Sequence, residues 1–310
     1  MANDVGVLIP NTVPGCTGEN VLTWARVADE GPFSSVGSAD RYVYVNHEIM
    51  MSMAAVAAVT SRARLLTAAV LPVLRPAPLF AKQVATLAEL APGRLSLGIA
   101  VGNRRNDYAE AGLDWTKRGA TLDRHLAYLD NLRDLGGEDN RVGPELGDVE
   151  LLIGGASPPA LRRLLRYGHG LVSAGVRPDV FAFEAFAALQ AWHEAGRADR
   201  PRIVASTWYS SSTDQDDLAA RRLTSYLKNG GPPDSVRSSI ARGRDGIEQA
   251  VADYRAQGAD EVVFFPLDDD ISELAWLADT VAALPELPRG EPAPDFSLFE
   301  QGPSMAGNHG

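Results

Sequence analysis

Eight short apolar runs, each followed by a stretch of helical period, predict a (β/α)8 TIM barrel for this chain of 310 residues. Strict alternation of strand and helix calls for a parallel sheet with helices outside it. The first four runs start about 30 residues apart, the length of one strand–helix unit. Eight such units favour closure of the sheet on itself over an open, doubly wound arrangement.

The expected strands are Val5–Pro10, Ser34–Ser38, Leu65–Val70, Leu95–Val101, Glu150–Gly154, Gly170–Ser173, Arg202–Ser206 and Glu261–Pro266. Between them, Glu19–Glu30, Glu48–Val59, Phe80–Ala91, Gly119–Leu135, Ser157–Tyr167, Val180–Ala195 and Ile271–Leu284 place apolar residues three and four apart. In the third of these, Phe80, Val84, Leu87 and Ala91 share a face, and Pro92-Gly93 stops the helix. The unit between strands seven and eight is oversized. Asp214–Lys228 and Gly246–Gln257 read as two helices around Asn229-Gly230-Gly231-Pro232-Pro233, a helical insertion near one end of the barrel. Residues 1–284 are expected to form one domain, and the Pro- and Gly-rich residues 285–310 an extended or mobile tail.

Composition narrows the function classes. Apolar residues at 45% and charged residues at 22% fit a folded globular chain rather than a disordered one. With 29 Lys+Arg against 40 Asp+Glu the net charge is -11, which argues against nucleic acid as a partner. A single cysteine, Cys16, excludes an internal disulfide and a Cys-cluster metal site. The five histidines show no metal-ligand spacing, so no metal is expected. No run reaches about 18 apolar residues and no basic-then-apolar leader opens the chain, so neither a membrane span nor export is expected. A reducing cytoplasm is the expected location.

In (β/α)8 barrels the chemistry sits where strands lead into helices at their C-terminal ends. That rule selects Asn11; Asp40 and Arg41; Thr67 to Leu71; Gly102 to Asn106; Gly154 to Ser157; Gly175 to Arg177; Thr207 to Tyr209; and Asp268 to Asp270. Ile153-Gly154-Gly155-Ala156-Ser157-Pro158-Pro159 could aim free amides and a positive helix end at a phosphate. A plain glycine turn with Ser157 as N-cap accounts for the same residues. Arg104 or Arg105 could meet a phosphate or a flavin edge, or could be solvated, the better reading for Arg105. His47 is the one histidine placed to carry a proton, because His125 and His193 lie within helices. Asp268-Asp269-Asp270 reads as a cap for the last helix rather than a metal site. No GxGxxG follows a strand and no GxSxG is present, so a dinucleotide fold and a serine nucleophile lack support.

Several stretches together resemble the bacterial luciferase-like monooxygenases. They are Val5–Asn11, Asp29-Glu30 with Ser34-Ser35-Val36 and Asp40, Thr67 with Leu71-Pro72 and Arg75-Pro76, Ala81-Lys82-Gln83 with Thr86-Leu87, Gly93-Arg94-Leu95-Ser96-Leu97-Gly98, and Gly154-Gly155-Ala156-Ser157. The resemblance runs from about residue 4 to 284 and is most specific in the first half. It implies a (β/α)8 barrel holding reduced FMN or the deazaflavin coenzyme F-420 in its mouth. The phosphate would be held by Gly154, Gly155, Ala156 and Ser157. The flavin ring would rest on the end of strand three, where a non-proline cis peptide is implied among Thr67, Ala68 and Ala69.

One departure stands out: light-emitting members carry Glu-His-His after strand two, and this chain has Asp40-Arg41-Tyr42. Aldehyde luciferase chemistry is therefore not expected. The resemblance implies instead a monooxygenase using reduced FMN and O2 on a small organic substrate, with FMN reduced by a separate flavin reductase. Nothing in the mouth selects the substrate; one of secondary metabolism is compatible. The alternatives are an F-420-dependent dehydrogenase or reductase of the same fold and a non-catalytic flavin-binding protein. Asp40, Arg41, His47 and Asn103 are the expected catalytic residues. Asn11, Thr67, Ala68, Ala69, Gly102, Arg104 and the Gly154–Ser157 segment are the expected cofactor contacts, with Trp208 and Tyr209 lining the mouth. Helix Glu48–Val59 is more apolar than one barrel-facing stripe requires, which a buried helix under an ordered loop would also explain; because family members pair through helices early in the barrel, the resemblance implies a homodimer.

Overall fold

A computed structural model describes residues 4–134, 142–173, 175, 177–215, 217–227 and 237–294. Eight parallel strands close a barrel: β1 (Asp4–Leu8), β2 (Ser35–Ser38), β3 (Arg64–Val70), β4 (Leu95–Ile99), β5 (Glu150–Gly154), β6 (Gly170–Val172), β7 (Arg202–Ser210) and, after an intervening strand, β9 (Glu261–Pro266). The ring closes through β6–β7, β7–β9 and β9–β1 pairing, with Val204 opposite Glu261 and Val5 opposite Val262. The (β/α)8 barrel read from the sequence is the architecture observed.

Helices fill the expected intervals. They are α1 (Gly18–Glu30), α2 (Ile49–Val59), α3 (Ala77–Leu90), a short α4 (Arg105–Glu110), α5 (Arg118–Asp134), α6 (Pro158–Tyr167), α7 (Pro178–Glu194), α8 (Leu218–Leu227), α9 (Gly243–Ala256) and α10 (Ile271–Ala282). Their starts follow capping chemistry. Thr17, Glu48 and Asp270 accept from the backbone N–H of Asn20, Met51 and Ser272 at 3.2, 2.7 and 2.9 Å. Asp270 thus caps the last helix, as its sequence context suggested.

Two differences lie between β7 and β9. Strand β7 runs four residues past Ser206, because Trp208–Ser210 pair with a further strand, β8 (Ile240–Arg242). Since β6 covers only Arg202–Val204, β8 extends that same edge of β7 above it. The expected helix Asp214–Lys228 is seen as α8, with Lys228 and the following residues to 236 outside the described residues. Among the described residues, no helix is long and apolar enough to cross a membrane.

Strand alternation sorts the core into two shells. Leu8, Leu66, Ala68, Leu152, Val172, Val204, Trp208, Val263 and Phe265 fill the barrel, while Leu65, Val70, Leu97, Ile203, Tyr209 and Phe264 face the helices. Each fully buried Val, Leu, Ile or Phe among them contributes about 1.5–3 kcal/mol.

The N-terminal floor of the barrel is ionic. Glu150 accepts from Arg64 Nη2 (3.0 Å), Ser96 Oγ (2.5 Å) and Arg202; Glu261, fully enclosed, accepts from Ser34, Ser35 and Arg202 at 2.5–2.6 Å. Burial pushes the Glu150 carboxyl up, but Arg202, Ser96 and Arg64 outweigh it and hold the group below its ordinary value. Residues 285–294 carry no helix or strand and are hydrogen-bonded near this end. Arg255 Nε donates to the Leu287 carbonyl, the Gly290 amide donates to the Arg255 carbonyl (both 2.8 Å), and Arg289 pairs with Asp260. The rest of the expected tail lies outside the described residues.

Candidate functional site

The C-terminal mouth is assembled from loops that the strand order brings round one opening. At β5, Gly155 takes φ +78° and faces open space, with nothing within 4 Å of where a Cβ would stand. A Cβ on Gly154 would sit 2.9 Å from the Ala100 Cβ. Ser157 occupies the N-cap position of α6, but its side chain makes no capping bond. The capping role read from the sequence is therefore not made, and the hydroxyl stays available. Pro158 and Pro159 fill the first two helical positions and carry no N–H, which thins the expected row of amides. Ala156, Ser157 and Ala160 are the amide donors left at this helix end.

At the end of β3 the Ala68–Ala69 peptide is cis, where the resemblance implied it. Thr67 is fully buried and gives its hydroxyl to the Gly98 carbonyl at 2.8 Å, so it braces β3 against β4. A Cβ on Gly98 would fall 2.1 Å from the Thr67 carbonyl oxygen, which requires glycine there. The small residues Ala68 and Ala69 leave the top of β3 flat.

Asp40 and Arg41 diverge after β2. The buried Asp40 Oδ2 accepts from the Leu71 amide (3.0 Å) and Arg75 Nη1 (2.9 Å), while Arg75 Nη2 donates to Glu48 (2.7 Å). This pair ties the loop after β2 to the loop after β3. Desolvation raises the Asp40 carboxyl above its ordinary value despite the Arg75 charge beside it. Arg41 turns the other way, its guanidinium 4.9 Å from the Tyr44 ring centre and 4.8 Å from that of Tyr226.

Tyr226, near the end of α8, was not singled out in the sequence, yet much of the mouth converges on it. Its carbonyl oxygen accepts from Arg41 Nη1 and from Arg104 Nη2, each at 2.9 Å. Its ring meets Tyr44 edge-on at 5.3 Å and Trp208 at 5.2 Å. Strand β7 stands opposite β3 in the ring, and the loops carrying Arg41 and Arg104 follow the two neighbours of β3. Helix α8 therefore lies across the mouth, with Ala219, Ala220 and Leu223 packed into the inner shell. Beneath it a crevice of about 10 Å³ is lined by Thr12, Val13, Pro14, Tyr44, Trp208, Arg222, Tyr226, Pro266 and Leu267.

The other expected residues are scattered. Asn11 is buried, donates from Nδ2 to the Ala39 carbonyl (3.2 Å), and leaves Oδ1 without a partner. His47 is half-buried before α2, its Nδ1 enclosed and unpartnered. Gly102 takes φ +75°, a Cβ there standing 3.0 Å from Leu71; Asn103 beside it is exposed. Trp208 does face the mouth, but Tyr209 does not. Alternation along β7 turns Tyr209 outward against Phe264 at 6.0 Å, buried behind the barrel wall. His125 is a bracing residue, its ring nitrogens 2.8 Å from the Thr121 and Arg75 carbonyls.

The geometry fits a phosphate-bearing flavin at two points: an open glycine turn with an uncapped serine at β5, and a small-residue shelf at β3. The crevice between α8 and the barrel, about 10 Å³, is far smaller than the roughly 300–1,000 Å³ of a ligand site, and neither the β5 turn nor the β3 shelf lines it.

Comparison with known proteins agrees with this frame. Residues 4–272 match the family described as luciferase-like monooxygenase. An uncharacterized protein of Mycobacterium tuberculosis is 31% identical over 172 residues, which cover 50% of this chain and 59% of that protein. The chain thus spans little more than half the length of this curated relative. Among solved structures, an F-420-dependent secondary alcohol dehydrogenase in complex with an F-420–acetone adduct aligns with a TM-score of 0.78 at 16% identity, covering 92% of this chain and all of that one. The oxygenating constituent of 3,6-diketocamphane monooxygenase from Pseudomonas putida, in complex with FMN, aligns at 0.70 and 17%, covering 93% and 100%. At these identities the two structures show the shared fold alone.

Proposed function

The chain belongs to the luciferase-like monooxygenase family, and from that premise we propose that it is a flavin-dependent monooxygenase acting on a small organic substrate. The observation that carries the reading is the cradle at β5: a positive-φ Gly155 facing open space, followed by a serine that its helix leaves uncapped. When bound there, reduced FMN would supply the electrons that activate O2 for transfer of one oxygen atom to the substrate.

The chain's own residues would do the rest. The amides of Ala156, Ser157 and Ala160 and the Ser157 hydroxyl would hold the phosphate, with Gly154 and Gly155 keeping the approach clear. Thr67, Ala68 and Ala69 would floor the ring. Asp40, through Arg75, would fix the loops on either side of that floor. Trp208, Phe265 and the Tyr226 ring would exclude water from above. His47 Nδ1, enclosed and unpartnered, would accept or return a proton, while Asn11 Oδ1 and Asn103 would orient the substrate. No NAD-binding unit is legible in the sequence, so a separate reductase would supply the reduced flavin.

A second reading, an F-420-dependent dehydrogenase or reductase, uses the same cradle without oxygen, and the F-420-bound relative aligns over the whole barrel. Fluorescence titration with FMN and with F-420 separates the two. Micromolar binding of the deazaflavin alone ends the monooxygenase reading, and binding of neither ends the enzyme assignment. Bound flavin without substrate-dependent turnover under any reductase would leave a flavin-binding protein.

A homodimer is part of the proposal. Helix α2 has no charged residue, and its outward positions Met51 and Ala58 are exposed and apolar, Met51 to 71%. A second copy would cover this face. Sedimentation at a single mass of 33.1 kDa would exclude it.

A further inference from the structure

Among the described residues, Arg41 and Arg104 are two cations without an anion, for neither guanidinium lies within 4.0 Å of a carboxylate. Of the comparably enclosed arginines, Arg75, Arg163, Arg202 and Arg242 each hold one (Asp40, Asp123, Glu150 with Glu261, and Asp217), while Arg255, also 7% exposed, gives its Nε to the Leu287 carbonyl at 2.8 Å instead. Arg41 is only 7% exposed, and its Nε is buried with no partner at all. A buried charge left unpaired is costly, and proteins ordinarily pair it or expel it. Burial and then the like charge of Arg41 make the charged form of Arg104 less favourable than in water.

What the two arginines share is a single oxygen, the Tyr226 carbonyl at 2.9 Å from each; Arg104 adds the Leu227 carbonyl at 3.3 Å. These carbonyls belong to the last described turn of α8, and a peptide oxygen carries only a partial negative charge. Two full positive charges are thus under-neutralised. Around them stand three aromatic rings, Tyr44, Tyr226 and Trp208, which make the surroundings flat and apolar.

We propose that Arg41 and Arg104 form a subsite for a carboxylate carried on an aromatic body, which takes the place of the Tyr226 carbonyl between the two guanidiniums. A carboxylate brings a whole charge and two oxygens to a pair of planar donors, so it outcompetes one peptide oxygen. Its arrival frees the last described turn of α8 from the two arginines. The inference rests on the proposed function in one respect, that the mouth is the substrate site, and it names the substrate class: aromatic carboxylic acids.

The test uses 2-naphthoate and its neutral isostere 2-naphthamide, titrated by calorimetry into the full chain with and without FMN. The acid should bind at least about tenfold more tightly than the amide, or about 1.4 kcal/mol. Arg104→Gln should bring the two within about twofold, whereas Arg41→Lys, which keeps the charge, should preserve most of the preference. Loosening of α8 alone would move both ligands together, so the ratio isolates charge recognition; circular dichroism checks the fold of each variant. Equal binding of acid and amide, no binding of the acid, or a ratio unchanged in Arg104→Gln overturns the proposal. So does a collapse of the FMN-over-riboflavin preference in Arg104→Gln, which would assign the arginines to the cofactor's phosphate. If the unaltered chain prefers the acid but binds no flavin, the proposed function fails while the subsite stands.

Discussion

Replacing Gly155 by alanine separates a backbone cost from a binding cost. Gly155 and Gly93 have nearly the same backbone, φ +78° and +70°, and neither has any atom within 4 Å of the point where a Cβ would stand. Gly93 lies in the turn between α3 and β4, at the opposite end of the barrel from the mouth. An L-residue in this left-handed region costs roughly 1–2 kcal/mol. Across 310 residues, an unfolding entropy of about 2.1 cal/mol/K per residue converts that into a Tm lowered by about 2–3 °C for either variant. Only at Gly155 does the new methyl group project into the space assigned to a phosphate. Displacing that phosphate from one charge-assisted hydrogen bond costs about 1.5–3 kcal/mol, a loss of roughly 10- to 100-fold in affinity. Melting curves and flavin fluorescence titrations on Gly155→Ala and Gly93→Ala read both quantities. Equal flavin affinity in the two variants, with equal melting losses, would refute the cradle.

The ionic floor gives a pH dependence. Because Arg202, Ser96 and Arg64 hold the folded Glu150 carboxyl below its ordinary value of 4.5, the unfolded chain takes up that proton first on acidification. The stabilisation is therefore present above about pH 4.5 and lost as pH falls through the folded value. Denaturant midpoints between pH 6 and 3 should fall less steeply for Glu150→Gln, which should also lose on the order of 3 kcal/mol at neutral pH. Arg75→Met should destabilise by on the order of 3–5 kcal/mol, because Asp40 stays buried without its cation. Adding Asp40→Asn should recover part of that loss in a thermal double-mutant cycle, and an additive result would show the pair uncoupled. Met51→Glu places a charge on the apolar face of α2 and should shift the sedimenting species to the monomer with little change in Tm.

The barrel was legible because each strand–helix unit carries its own signal, a short apolar run and then a three-and-four spacing, with little reference to the rest of the chain. Strand β8 escaped notice because three residues, Ile240-Ala241-Arg242, have no period; they pair only because β6 stops at Val172 and leaves the edge of β7 open. Tyr209 was misplaced by one step of alternation. With the strand assumed to end at Ser206, the next residues looked like loop, whereas four more residues of strand turn Trp208 in and Tyr209 out.

The site divides along the same line between local and distant information. Gly154-Gly155-Ala156-Ser157 announces a turn and a helix start within four residues, and the structure keeps both while removing the cap. Arg41 and Arg104 were visible only as cations in strand-end loops, and nothing near them in sequence says which oxygen they meet. That oxygen belongs to Tyr226, more than 120 residues from Arg104 and more than 180 from Arg41. It is reached only because β7 and β3 stand on opposite sides of a closed ring. Asp40 shows the converse. Its sequence context places it only at a strand end, among the expected catalytic residues, and Arg75, brought beside it by the next strand's loop, joins it in a tie between two loops. A residue's place at a strand end is set locally, but its charge partner is set by ring closure. Asp40 gained its cation from that closure, and Arg41, one residue later, has no anion among the described residues.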